Sequence, residues 1–185
     1  RKHYSFYLFG YAGSGKTYII SHFVKHITDQ FVFDNIIICS PTHVSLQVLE
    51  SNMPNVNNNI CRFFTVQRVL GYKPSVNTDD GTIYFSQKKK PKISPLSLLI
   101  IDECSMINKD MSEKLKLLKC KKIFLGDMKQ LPPVGEKITN IFQQSFDIEK
   151  YKFILESIVR AKSSVLKEIN IIFRNWNGKD DIIDL

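Results

Sequence analysis

The chain has 185 residues, 43% of them apolar and 11% aromatic, which excludes a disordered tail and leaves room for one domain with a sizeable core. Lys and Arg total 26 against 18 Asp and Glu, and the formal charge of +8 permits a polyanionic partner without requiring one. The four cysteines, Cys39, Cys61, Cys104 and Cys120, include no C-x-x-C pair, which argues against a metal knuckle or disulfide framework and fits a reducing compartment, nucleus or cytoplasm.

Residues 4–9, YSFYLF, predict a buried strand. The next stretch, GYAGSGKT (10–17), holds three glycines and ends in a lysine and a hydroxyl. Residues 16–27 predict a helix bearing apolar Ile19, Ile20, Phe23, Val24 and Ile27. A β-branched strand is expected over 36–39, after which Pro41 and Thr42 lead into a helix over about 44–50. MPNVNNN (53–59) reads as a polar loop, followed by ICRFF and a short helix over 66–70.

Residues 71–95 change character. Asp79, Asp80 and Gly81 form a turn signal between YKPSV and TIYF, predicting a β-hairpin insertion whose exit carries Lys88, Lys89, Lys90 and Lys92. The apolar pattern resumes with a strand over 96–101. Asp110 is expected to cap a helix bearing Met111, Leu115 and Leu118. Strands over 123–125 and 151–155 follow, and Val165, Ile169, Ile172 and Phe173 predict a last amphipathic helix. Alternating strands and helices with near-continuous apolar strands predict an α/β fold, a largely parallel sheet covered by helices on both faces. No apolar run approaches the roughly eighteen residues that span a bilayer, so no membrane partner is expected.

The first chemical signal is G-x-x-x-x-G-K-[ST], met by Gly10, Gly15, Lys16 and Thr17 between a predicted strand and a predicted helix. Glycines let successive backbone N–H groups converge on phosphate oxygens, and the helix start adds partial positive charge. Lys16 is placed to reach β- and γ-phosphates, and Thr17 to ligate Mg²⁺. The second signal is SLLIIDECSMI, which puts Asp102 and Glu103 at the carboxyl end of an apolar strand. Adjacent acids there are costly unless they handle a cation or a proton. Asp102 suits the metal, and Glu103 suits orienting and deprotonating an attacking water. The third is KKIFLGDMKQLPPV, where Gly126 and Asp127 follow a strand and Gln130 offers an amide to a γ-phosphate. Pro132 and Pro133 stiffen that loop.

GYAGSGKT, CSPTH, LLIIDECSM, GDMKQLPPV and LESIVRA occur in the order and spacing of superfamily 1 helicases, so the chain resembles that family over about residues 4–176. It most resembles the Pif-like and RecD-like branch, to which GDxxQLPPV is highly specific and whose members move 5′ to 3′ on single-stranded DNA. The resemblance implies a RecA-like P-loop NTPase domain using ATP and Mg²⁺. It implies a nucleotide site at Gly10, Gly13, Ser14, Gly15, Lys16 and Thr17, with Mg²⁺ at Thr17 and Asp102. The catalytic set it implies is Lys16, Glu103, Gln130 and Arg160, the last as the motif IV arginine on the terminal phosphate. Two DNA-backbone elements are implied. Pro41, Thr42 and His43, continued by Val44 and Ser45, resemble P-T-x-x-A with serine at the small-residue position. Thr65, Val66 and Gln67 resemble T-[IV]-H with Gln in place of His. Thr42 is equally suited to capping a helix. The 71–95 insertion corresponds to a family excursion that can act as a wedge, and Tyr72, Tyr84 and Phe85 could stack on nucleic acid.

Family members carry a second motor domain with motifs V and VI, and a glutamine segment that recognises adenine before the first strand. Neither is matched here, since only RKHYS precedes Phe6 and the sequence ends soon after FRNWNGKDDI. Residues 1–185 are therefore expected to be a single motor domain from something longer, binding nucleotide weakly and unable to unwind duplex alone. The implied partners are single-stranded DNA or a duplex junction, and the second motor domain of the same polypeptide. The alternative is a nucleic-acid-stimulated ATPase that remodels RNA or protein complexes without separating strands.

Overall fold

Neighbouring residues of a strand point to opposite faces, and here both sets are apolar. In β6 (Ser97–Ile101) every position is buried. Leu98 and Ile100 pack into one core, and Leu99 and Ile101 into the other. β1 (Ser5–Gly10) divides the same way, Phe6 and Leu8 against Tyr7 and Phe9. A strand buried on both faces needs cover on both, which is the condition for an all-parallel sheet.

The structure, a computed structural model, describes residues 5–30, 33–53, 59–78, 80–87, 91–146 and 151–155. With β2 (Asn35–Ser40), β3 (Cys61–Thr65), β7 (Lys121–Gly126) and β8 (Lys152–Leu155), the two strands above form a six-stranded sheet in the order β3-β2-β6-β7-β1-β8. Each pairing in it is parallel. Helices α1 (Lys16–Asp29) and α2 (His43–Ser51) cover one face through Ile19, Ile20, Phe23, Val24 and Leu49. The single turn α3 (Val66–Val69), α4 (Lys109–Leu117) and α5 (Asn140–Phe146) cover the other through Val66, Leu115, Ile141 and Phe142. Burying each such side chain contributes about 1.5–3 kcal/mol. The α/β architecture with helices on both faces is thus the one expected from the sequence.

β4 (Tyr72–Val76) and β5 (Ile83–Gln87) form a separate antiparallel hairpin, with Tyr72 opposite Gln87 and Val76 opposite Ile83. Its tip is open to solvent, Val76 being 61% and Ile83 70% exposed. Asp79 and Lys88, Lys89 and Lys90 lie outside the described residues, as does the helix expected around Val165–Phe173.

Two local expectations are corrected. Asp110 does not cap α4: the Asn108 side chain accepts from the Met111 N–H at 2.9 Å, and Asp110 sits in the first turn. A carboxylate there still favours the helix dipole, which is why Asp110 looked like a start signal. ICRFF, which carried no assignment, contributes the sheet-edge strand β3 over residues 61–65, and α5 was likewise not anticipated. All four cysteines are buried, Cys61 in the core under α1 and α2, the other three on the opposite face.

Candidate functional site

Because the six strands are parallel, their carboxyl ends share one rim. Along it, in strand order, come Thr65–Gln67 after β3, Pro41–His43 after β2, Asp102 and Glu103 after β6, Asp127 after β7, and residues 10–17 after β1. The carboxylates therefore stand between the phosphate-loop sequence and the other two segments, in the crevice region where open α/β sheets take ligands. Arg160 lies outside the described residues.

The loop from Gly10 to Lys16 is held from within and from β7. Gly10 permits a close approach, because a Cβ there would lie 2.5 Å from Ser14 Oγ and 2.8 Å from Leu155 Cβ. Gly13 and Gly15 have φ of 76° and 92°, the left-handed region that glycine tolerates. The Ser14 Oγ is buried and has no hydrogen-bond partner among the described residues. The Lys16 ammonium donates to the carbonyls of Gly10 at 2.7 Å and Tyr11 at 3.0 Å. Gly15 starts α1 without a side-chain cap, and no acid occupies the first turn. By contrast, Thr42, Thr65 and Asn108 cap α2, α3 and α4 through their side chains. The start of α1, Thr17 included, keeps its N–H groups and positive dipole end available to an anion.

Asp102 is 8% exposed, and burial pushes its carboxyl up from 3.8 to about 6. A hydrogen bond from backbone opposes this, the Glu103 carboxylate adds to it, and the Lys16 ammonium, close enough to be felt, draws it back. Glu103 has φ 51°, the one non-glycine residue with positive φ among the described residues. Such a backbone costs about 1–2 kcal/mol and persists where the surroundings enforce it.

The turn after β7 reaches across to both groups. Asp127, 5% exposed, accepts from the Ala12 N–H through Oδ2 at 2.8 Å and from the Lys129 N–H through Oδ1 at 2.9 Å. Gln130 Oε1 accepts from the Ser105 hydroxyl at 3.2 Å, two residues past Glu103. Sequence reasoning singled out Gln130 but gave Asp127 and Ser105 no task. Their signal, a buried acid and a hydroxyl just after rim strands, was present.

On the far side of the rim, Thr42 Oγ1 accepts from the Ser45 N–H at 3.1 Å, and Thr65 Oγ1 from the Arg68 N–H at 3.3 Å. Both threonines are helix caps, and Ser45 at the departing position bonds to Thr42 and Ser40 hydroxyls at 2.6 Å. His43, Thr65, Gln67 and Arg68 line a cleft of about 1130 Å³ whose other wall is the hairpin, with Tyr72, Lys73 and Phe85. Arg68 stacks 4.6 Å above the Phe64 ring in this cleft. Lys92 also lines it, so the cleft wall holds both cations and aromatic rings. The structure thus joins the threonine segments to the hairpin, a juxtaposition the spacing alone did not reveal. No described helix is long and apolar enough to cross a membrane.

A family model described as an AAA domain matches residues 1–136. Uncharacterized protein R530 of Acanthamoeba polyphaga mimivirus is 39% identical over 194 residues, covering 97% of this chain and 39% of its own length. The ATP-dependent DNA helicase dda of Enterobacteria phage T4 is 26% identical over 182 residues, covering 95% of this chain and 39% of that protein. Among solved structures, the PRRSV helicase aligns with a TM-score of 0.50 at 22% identity over 97% of this chain and 35% of that one, a likeness of fold. The chain spans 39% of the length of each of these two curated relatives.

Proposed function

We propose, for a chain that belongs to the AAA domain family and is similar to the first motor domain of superfamily 1 helicases, that it is the ATP-binding motor domain of an ATP-dependent 5′-3′ DNA helicase. The observation that carries this reading is one rim holding the uncapped start of α1 with Lys16, the Asp102–Glu103 pair, and Gln130. The 5′-3′ direction and DNA as track rest on the likeness of residues 126–134 to the Pif-like and RecD-like branch.

The residues suit a magnesium nucleotide on three counts. The loop contains a buried hydroxyl without a partner, α1 begins with no competing acid, and Thr17 and Asp102 are hard oxygen donors. Mg²⁺, when bound, would supply positive charge against the negative charge on the phosphoryl oxygens. In this reading Lys16 leaves the Gly10 and Tyr11 carbonyls for phosphate oxygens, while Gly13, Ser14 and Gly15 present the loop's amides. Glu103 orients the attacking water and takes its proton. Gln130, its oxygen held by Ser105, has its Nε2 to donate to the terminal phosphate. Arg160 completes the charge around that phosphate.

The cleft between Thr65–Arg68 and the hairpin supports a nucleic-acid track beside the nucleotide. Backbone phosphates would meet Thr42, His43, Thr65, Gln67 and the cations, with bases against Phe85 and Tyr72. This reading assigns the second motor lobe and its arginine to a longer polypeptide, of which the chain would be part, as it spans 39% of each of the two curated relatives above. An arginine of that kind is worth about 10³–10⁵ in turnover, so residues 1–185 alone would hydrolyse slowly. Buried free thiols suit a reducing compartment such as nucleus or cytoplasm.

The test is strand separation by the complete polypeptide with ATP, on DNA and RNA duplexes carrying 5′ or 3′ tails. Opening of 5′-tailed DNA is expected. Nucleic-acid-stimulated hydrolysis with no duplex opened would replace this reading by that of a remodelling ATPase.

A further inference from the structure

We propose that α4 is a strut joining the hairpin to the loop that carries Gln130, and that Asp110 and Glu136 are its positioning residues. The inference rests on the helicase reading above and assigns a coupling route within it.

At its start, α4 is tied to the loop that follows β7. Glu136 Oε1 accepts from the Lys109 N–H at 2.8 Å, and the Glu136 N–H donates to the Pro133 carbonyl at 3.0 Å. Pro132 and Pro133 fix φ at two of the five positions between Gln130 and Glu136, which shortens the range over which that loop can move. One residue further along the helix, Asp110 Oδ2 accepts from the Tyr72 hydroxyl at 2.8 Å and from Lys114 Nζ at 2.7 Å. Lys114 also contacts the Tyr72 hydroxyl and lies 4.8 Å above its ring. Tyr72 begins β4, and its cross-strand partner Gln87 donates to the Leu70 carbonyl at 2.9 Å. Both strands are thus anchored at the hairpin root, whereas the tip is exposed.

The result is a path that follows the chain from Gln130 to Glu136 and then runs by hydrogen bonds through the first turn of α4 and Asp110 to Tyr72. Each polar contact is near solvent and individually weak. Their worth is positional: a change at the terminal-phosphate amide is delivered to the root of a hairpin whose tip is exposed. Asn108 caps α4 independently, so Asp110 is not needed to form the helix.

The experiment uses the complete polypeptide with Asp110→Ala, Glu136→Ala and the double variant. Three quantities are read: DNA-stimulated ATP hydrolysis, base pairs opened per ATP, and hydrogen exchange of amides 72, 73, 75, 76 and 83–87 with and without a non-hydrolysable ATP analogue. Hydrolysis is expected to stay within about twofold. Pairs opened per ATP should fall about fivefold. Hairpin exchange should quicken in Asp110→Ala and lose its response to the analogue in both single variants, the double variant being no worse. Asp110→Asn keeps an oxygen for the Tyr72 hydroxyl and should restore both readouts. Unchanged hairpin exchange in Asp110→Ala, or quickened exchange with unchanged opening per ATP, overturns the proposal. If the unaltered polypeptide hydrolyses no ATP, the helicase reading fails and so does the coupling route. Hydrolysis without a hairpin response sinks the strut alone.

Discussion

Asp127 Oδ2 accepts a hydrogen bond from the backbone N–H of Ala12 at 2.8 Å, across 115 positions of sequence. Its other oxygen holds the Lys129 N–H, so one buried carboxylate fixes both the phosphate-loop sequence and the turn bearing Gln130. Asp127→Ala should loosen the loop and weaken nucleotide binding by about tenfold, the equivalent of one charge-assisted hydrogen bond. Calorimetric titration measures this. Wild-type affinity in the variant would show that the bond holds nothing that nucleotide needs.

Asp102 sets folding stability against chemistry. Its carboxyl titrates at about 6 in the folded chain and at 3.8 ordinarily, so between those values the folded state binds the proton more tightly. Stability from this group therefore falls as pH rises through that window, and the cost is fully present above about 6. Asp102→Asn removes the buried charge. Without nucleotide it should raise stability at pH 7.5 by on the order of 2 kcal/mol, an advantage that fades near pH 4, while hydrolysis is lost. Thermal denaturation at the two pH values, with a turnover assay, checks both directions; a variant less stable at pH 7.5 contradicts the account.

At Glu103 the backbone and the side chain can be separated. Glu103→Gln keeps the φ of 51° and the shape, so nucleotide binding should persist with turnover abolished. Glu103→Gly should also abolish turnover but gain about 1 kcal/mol of stability by relieving the left-handed strain. Denaturant titration of the two variants distinguishes them. Normal hydrolysis by Glu103→Gln would remove this residue from the role of base, whereas Lys16→Ala should lower both binding and turnover.

Gly10→Ala is expected to cost about 1–3 kcal/mol, because the added methyl collides with Ser14 Oγ and Leu155 Cβ. Leu155 belongs to the edge strand β8, so the collision pushes against the β1–β8 pairing as well as the loop. Chemical denaturation of this variant, beside a nucleotide titration, should show both properties reduced.

Much of the scaffold was legible because burial on both faces leaves a local mark. LLII and IFL are apolar at consecutive positions between turn signals, the mark of an interior parallel strand. ICRFF hid its strand because β3 lies at the sheet edge, where Arg62 is exposed and the alternation is broken. NIFQQSF hid α5 because seven residues with only Ile141, Phe142 and Phe146 apolar are too short a run to set a period. The same division holds at the rim. Phosphate-loop and carboxylate candidates lie within single short stretches, so their chemistry could be read in line. Ala12 with Asp127 and Tyr72 with Asp110 depend on β1 lying beside β7 and the hairpin root lying beside α4, and no local pattern encodes that order.

The thiols of the chain are distributed unevenly between the two layers beneath the helices. Cys61 is enclosed on one side of the sheet, and Cys39, Cys104 and Cys120 on the other. Enclosure also pushes the Cys61 thiol up to about 11, so little of it is in the reactive form at neutral pH even when reagent arrives. The native molecule should consequently resist alkylation, and the order in which mass increments appear under gentle denaturant would report which layer parts first.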